Sequence, residues 1–252
     1  MKRKSYLFLE IILIVIFVGS GYKIATYFYQ ENLQKNKFEY LAKKIENTVS
    51  DNNIITTNNG NKIKSKYAQV YNENNDFVGW IKIKGTRIDY PVMKNETDFQ
   101  YYLYKNFDKE ESIYGTPFIG ENCEINPNSD NIIVYGHNMK NGTMFSDLNK
   151  YKDYDFYKKH KEIEFNTLYD DEKYEIAYAF VIEVNKKGEF DYYNYINISE
   201  QNIYQDFIKN LEKEKLYDTD VKIGEGDKVI TLSTCEKRSN NSRMVVVAKR
   251  VE

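Results

Sequence analysis

The sequence predicts a mainly-β globular domain, a barrel or sandwich of about eight strands, behind an N-terminal membrane-spanning segment. Two observations predict the strands. Segments rich in Val, Ile, Tyr and Phe recur from residue 78 onward, several with apolar and polar residues alternating, and few stretches between them have the length and spacing of a helix. A third observation predicts the segment ahead of them: the first thirty residues hold an apolar run just long enough for the ~20 residues that a bilayer crossing needs.

That run, "YLFLEIILIVIFVGSGYKIATYFY", follows Lys2, Arg3 and Lys4 and is interrupted only by Glu10 and Lys23, each near enough to an end to snorkel to the interface. The basic start places the N-terminus in the cytosol and everything after residue 30 outside, with Tyr27, Phe28 and Tyr29 as an aromatic belt at the outer face. A cleaved signal peptide should end in a small-x-small site, for which "VGSG" at 18–21 is a poor candidate, so residues 1–30 are expected to be an uncleaved anchor. In "ENLQKNKFEYLAKKIENTV" (31–49), Leu33, Phe38, Leu41, Ile45 and Val49 fall at roughly helical spacing, which reads as a stalk. The polar, Asn-rich "SDNNIITTNNGNK" (50–62) reads as a linker or loop. Residues 31–63 are thus set apart as stalk and linker, leaving 64–252 as one domain of ordinary size.

Within that domain strands are expected at 78–84, 87–92, 112–119, 131–135, 161–168, 173–184, 227–235 and 243–251. Short helices are expected at 97–104 and 143–151. A longer one fits 199–214, with Ser199 as N-cap, Ile198 and Ile203 as a hydrophobic staple, and Phe207, Ile208 and Leu211 on one apolar face. This insertion either covers an open end of the sheet structure or shapes a binding groove.

The chain is 41% hydrophobic and 29% charged with a formal net charge of -2, an ordinary globular balance without the basic excess of a nucleic-acid binder. Its two cysteines, Cys123 and Cys235, are few for a secreted protein stapled by disulfides, and one disulfide between them is the alternative to two free thiols. Together with His137 and His160 they match no familiar zinc-ligand spacing, so neither a metal nor another cofactor is expected.

Chemistry concentrates in "TLSTCEKRSNNSRMVVV" (231–247). If the last two strands pair as a hairpin with Cys235 opposite Arg243, "EKRSNNS" is the loop and both side chains share a face; a slip of one residue would separate them. A thiol is a good nucleophile only as thiolate, and a nearby guanidinium can favour that form or hold a developing oxyanion. The alternative is a buried, inert cysteine. Of the two candidate bases, His160 in "YKKHKEIEF" reads as a solvated residue among lysines. His137 in "NIIVYGHNMKNGTMF" follows a short strand and a glycine, on a loop whose backbone a rigid sheet would hold.

"TLSTC" ending one strand, an arginine starting the next, and "YGHNM" upstream resemble the active-site signature of the sortases, cysteine transpeptidases of Gram-positive cell surfaces. The resemblance covers most of 65–252: "NDFVGWIKIKGTRIDYPVM", "YYLYKNF" and "NIIVYGHNMKNGTMFSDL" read like class B members, and the helix at 199–214 matches their insertion between strands six and seven. "FIGENC" (118–123) departs from the usual wording, and Cys123 has no role in it. The resemblance implies an eight-stranded sortase-type β-barrel with short helices, that inserted helix, and an N-terminal helical extension. It implies that Cys235 attacks the carbonyl of a threonine in a sorting motif near the C-terminus of a secreted protein. His137 would protonate the departing amine and later deprotonate the incoming one, and Arg243 would hold the carbonyl and the oxyanion. An amine of a peptidoglycan precursor would then take the acyl group, and class B relatives favour motifs of the Asn-Pro-x-Thr type. Ser233, which strand alternation puts on the face of Cys235, and its neighbour Thr234 are candidate substrate-binding residues, against the plainer reading of hydroxyls in a strand. A cysteine peptidase that uses water, or a tethered wall-binding domain, are the rival functions. An L,D-transpeptidase would carry Ser-x-Gly-Cys where this chain has "STC".

Overall fold

The computed structural model describes residues 2–48, 53–57, 60–184, 186, 188–236 and 241–251. The chain divides into two compact units, Met1–Ala42 and Lys43–Glu252. The described residues of the first are helical, part of α1 (Lys2–Asn47), so the expected anchor and stalk form one continuous helix as far as Asn47, with Val49 outside the described residues. No proline falls in this stretch to break the backbone ladder, since the three prolines are Pro91, Pro117 and Pro127. Its most apolar window has a mean hydropathy of 2.1, and side chains from Leu7 to Val18 are exposed, as lipid-facing residues would be.

The second unit opens on the end of α1 and continues into the stretch expected to be a linker. There β1 (Ile54–Thr56) and β2 (Lys62–Lys64) pair antiparallel, Ile55 opposite Ile63. The surrounding asparagines hide this hairpin from a composition reading, but Ile63 is buried, and the Lys64 N–H donates to the Leu168 carbonyl at 2.8 Å. Ordered structure therefore reaches upstream of residue 64.

After α2 (Ala68–Glu73), which the sequence did not signal, come β3 (Phe77–Lys82), β4 (Asp89–Met93), β5 (Phe118–Ile119), β6 (Asn131–Tyr135), α3 (Tyr154–Lys159), β7 (Glu162–Thr167), β8 (Asp171–Glu183), α4 (Gln201–Glu214), β9 (Val229–Cys235) and β10 (Ser242–Arg250). The eight strands from β3 to β10 close into a barrel in the order β10-β8-β7-β3-β4-β5-β6-β9, the expected architecture, and closure leaves no free sheet edge. β6 lies parallel to β9 and β4 to β5; the other pairs are antiparallel. Ile81, Val92, Phe165, Leu232 and Val246 fill the interior. β9 is buried along its whole length until Cys235, which is exposed at its end.

Four elements differ from expectation. Of 112–119 only Phe118–Ile119 is strand, because the preceding residues fold back on another turn: Ser112 N–H donates to Tyr104 O and Thr116 N–H to Tyr102 O, both at 2.9 Å. Gly115 makes that approach possible; with φ +56° and a would-be Cβ 2.4 Å from the Leu103 carbonyl, no other residue fits without a shift. The helices expected at 97–104 and 143–151 are 3-10 segments, Tyr101–Leu103 and Phe145–Lys152. α4 is capped at Glu200 rather than Ser199, whose N–H and hydroxyl both go to Asp130 Oδ2, at 2.9 and 2.5 Å. Phe207 and Leu211 on α4 are fully buried, each contributing about 1.5–3 kcal/mol relative to exposure. The segment ahead of it, including Tyr192 and Ile196, lines the groove described below.

Both cysteines are free thiols. Cys123 is fully buried with Sγ 3.7 Å from the Asn131 carbonyl, and burial pushes its thiol up to about 11, so it stays protonated and unreactive. Cys123→Ser is expected to keep most turnover and to lose about 1–2 kcal/mol of stability for the polar group placed in the core. Thermal unfolding beside a peptide assay checks this; a Cys123–Cys235 bond in active protein, seen by non-reducing mass analysis, would contradict it.

Candidate active site

Two strand registers assemble the site. In the parallel pair β6/β9, Tyr135 lies opposite Ser233, and the Gly136 N–H carries the ladder one step further to the Ser233 carbonyl at 3.2 Å. His137 and Cys235 are each two residues beyond that pair, so the two leave neighbouring strand ends side by side. In the antiparallel pair β9/β10, Arg243 is the partner of Cys235, the register the eight-residue spacing predicts. The Glu236 N–H donates to Ser242 O at 2.8 Å, which makes the Cys235–Arg243 step a non-hydrogen-bonded pair, the kind whose side chains stand closest. The loop residues 237–240 of the predicted hairpin lie outside the described residues.

A glycine ahead of His137 is a steric requirement. A Cβ on Gly136 would sit 2.6 Å from the Phe145 ring, and the Phe145 N–H then closes the turn on the His137 carbonyl at 2.9 Å. His137 Nε2 lies 2.7 Å from the Leu103 carbonyl. A carbonyl only accepts, so Nε2 carries a proton and Nδ1 is the nitrogen left to exchange one. The turn at 101–104, held by the 112–116 segment, is what presents that carbonyl.

His137 is half-buried, and burial pulls its pKa below the ordinary 6.5; the Leu103 carbonyl, which favours the protonated ring, opposes this with a smaller effect. Because the imidazolium is the disfavoured form, the ring loses its proton below pH 6.5. The acid limb of the kcat/KM profile, a property of the Cys–His pair, is therefore expected below pH 6.5. A pH–rate series on a cleavable peptide checks this, and an acid limb centred above 7 would contradict it.

The hydroxyls upstream of Cys235 are both engaged. Ser233 Oγ is 2.7 Å from the Tyr192 hydroxyl in a buried contact, and burial pushes that phenol up to about 12. Thr234 Oγ1 donates to the Gly136 carbonyl at 2.7 Å, tying β9 to the segment that bears His137. All five candidate residues, Cys235, His137, Arg243, Ser233 and Thr234, line one groove of about 640 Å³ with Leu103, Tyr104 and Tyr192, a volume within the range of ligand sites. His160 is not among them: its Nδ1 meets the Lys84 carbonyl at 2.9 Å and its ring packs on Phe156 at 4.3 Å, so it is a partly exposed residue outside the groove. Sequence reasoning missed Leu103 and Tyr192, whose contributions depend on contacts from distant segments.

A model of the sortase domain matches residues 81–251. The chain belongs to the sortase family. Sortase B of Staphylococcus aureus is 31% identical over 257 aligned residues, spanning 100% of this chain and 99% of that protein. Sortase B of Listeria monocytogenes is 32% identical over 255, with the same coverage. The solved Staphylococcus aureus sortase B–substrate complex superposes with a TM-score of 0.75 at 28% identity, over 89% of this chain and 99% of that one. The sortase named by the sequence motifs is thus the family found, its kin are of class B, and its chemistry is transpeptidation.

Proposed function

We propose that this sortase is a membrane-anchored extracellular enzyme that cleaves a C-terminal sorting motif after its threonine and transfers the protein to an amine of a peptidoglycan precursor. The observation that carries the reading is the pair of registers bringing Cys235, His137 and Arg243 to one groove. Cys235 Sγ, as thiolate, attacks the threonine carbonyl carbon, and the resulting oxyanion is held by the Arg243 guanidinium. Collapse breaks the C–N bond, and the departing amine takes a proton from His137 Nδ1, leaving a thioester on Cys235. The acceptor amine then attacks the thioester and gives its proton to Nδ1, and the thiolate leaves. Ser233 and Thr234 border the bound motif. Relatives of class B favour the assignment of an Asn-Pro-x-Thr motif.

Residues 1–30 act as the anchor, 31–63 as stalk and linker, and 64–252 as the catalytic domain. The apolar helix with its basic start supports an N-terminus in the cytosol and a catalytic domain outside, where exported substrate and lipid-linked acceptor meet. Water resolving the thioester would make the same site a thiol peptidase. The test is the full chain in detergent micelles, incubated with an Asn-Pro-x-Thr peptide library with and without an added short peptide amine, products read by mass. Cleavage after Thr with the amine joined to the new end is expected. Free acid alone, whatever the amine, would replace transfer by hydrolysis, and no cleavage of any Thr peptide would end the reading.

A further inference from the structure

The end of the β6/β9 ladder contains a substitution of side chain for backbone. The parallel ladder runs Gly136 N–H to Ser233 O, and its next step would be Asn138 N–H to Cys235 O. Instead, β6 leaves the sheet so that His137 can turn toward Leu103 and Asn138 can bridge to Met144. The Cys235 carbonyl receives the Asn138 side-chain amide, Nδ2 to O at 2.8 Å, with Asn149 Nδ2 more distant at 3.5 Å. One residue on, the buried Glu236 carboxylate is paired with Lys152, at the end of the 3-10 segment that carries Asn149. The segment following His137 thus holds the Cys235 carbonyl and, one residue on, the Glu236 side chain.

We infer that Asn138 is a positioning residue for the transfer reaction: its amide restores the missing ladder step and holds the nucleophile's strand end at a fixed spacing from the base next to it in sequence. The inference rests on the transpeptidase reading above. Without the bond, the strand ends keep the contacts of Gly136 with Ser233 and Thr234, but these stop one residue short of His137 and Cys235. Small displacements between reacting groups are costly, since a shift of about 1 Å can lower rate on the order of 100-fold. Asn138 carries no charge, so its loss leaves the electrostatics of the thiol unaltered.

The test uses full-length Asn138→Ala and Asn138→Asp, the second keeping the shape while replacing the amide donor with a carboxylate. Turnover is normalised to the Cys235 thiol titrated by iodoacetamide, which removes any loss that comes only from misfolded protein. Both variants are expected to lose about tenfold or more in kcat per thiol, with KM within about threefold of wild type. In Asn138→Ala the pH dependence of alkylation should match wild type. Wild-type kcat per thiol in both variants would overturn the inference, as would a raised KM at unchanged kcat, which would make Asn138 a substrate contact. Absence of turnover by the wild-type chain itself would defeat the transpeptidase reading, a separate failure.

Discussion

Cys235→Ala is expected to reduce peptide turnover to background, a loss on the order of 10⁴-fold or more, while the barrel unfolds at the temperature of the wild type. The two halves of this expectation have separate causes. Among the described residues no other side chain in the groove is placed to replace it as nucleophile: Ser233 is buried and engaged with Tyr192, Thr234 with the Gly136 carbonyl, and Cys123 is sealed in the core. Stability is retained because Cys235 is exposed at a strand end, so removing its sulfur opens no cavity. Thermal melting and a sensitive mass assay on the same preparation check both halves. Residual turnover above background in the purified variant would mean another nucleophile.

The second large effect is expected at Arg243, where charge and geometry make different demands. If the guanidinium holds the oxyanion, lysine is a poor substitute, because it retains the charge but loses the planar fork of donors. Arg243→Lys is then expected to lose roughly 100-fold or more in turnover, the scale of removing one oxyanion donor, and Arg243→Ala at least as much. If Arg243 acts only by favouring the thiolate, lysine recovers much of the rate and the alkylation profile of Cys235 moves in the alanine variant. The non-hydrogen-bonded pairing of Cys235 and Arg243 favours the first outcome, since it directs both side chains to the same side at close range. Near-wild-type turnover by both variants would remove Arg243 from the site.

Much of the barrel was legible because its strands announce themselves locally. β7 alternates exposed and buried residues, and the β-branched runs of β6, β9 and β10 coincide with their expected positions within two residues. The α4 insertion was legible from its apolar face, though its cap was not: Ser199 is an ordinary cap by type, and only the folded chain brings Asp130 to it. The β1/β2 hairpin escaped because its asparagines resemble a linker, while burial of Ile63 depends on a partner surface far along the chain. The strand expected at 112–119 read correctly as β-prone sequence, but its backbone groups found partners in the 101–104 turn before they could reach a barrel neighbour.

The sequence by itself determined the candidate site residues and their local frames. It placed Cys235 at a strand end, Arg243 across a hairpin whose register the spacing dictates, and His137 after a strand and a glycine; each of these depends on chain neighbours within a hairpin or a turn. Only the tertiary structure decided how those frames meet. The parallel pairing of β6 with β9 joins segments about a hundred residues apart, and parallel strands need a long crossover whose register no local pattern specifies. The same closure brings Leu103 O to His137, the Asn138 amide to the Cys235 carbonyl, and Tyr192 to Ser233. Those bonds put a ring proton on His137 Nε2 and join the two strand ends. They arise where buried polar groups must find partners, and which partners are within reach is settled by barrel closure rather than by neighbours in the chain.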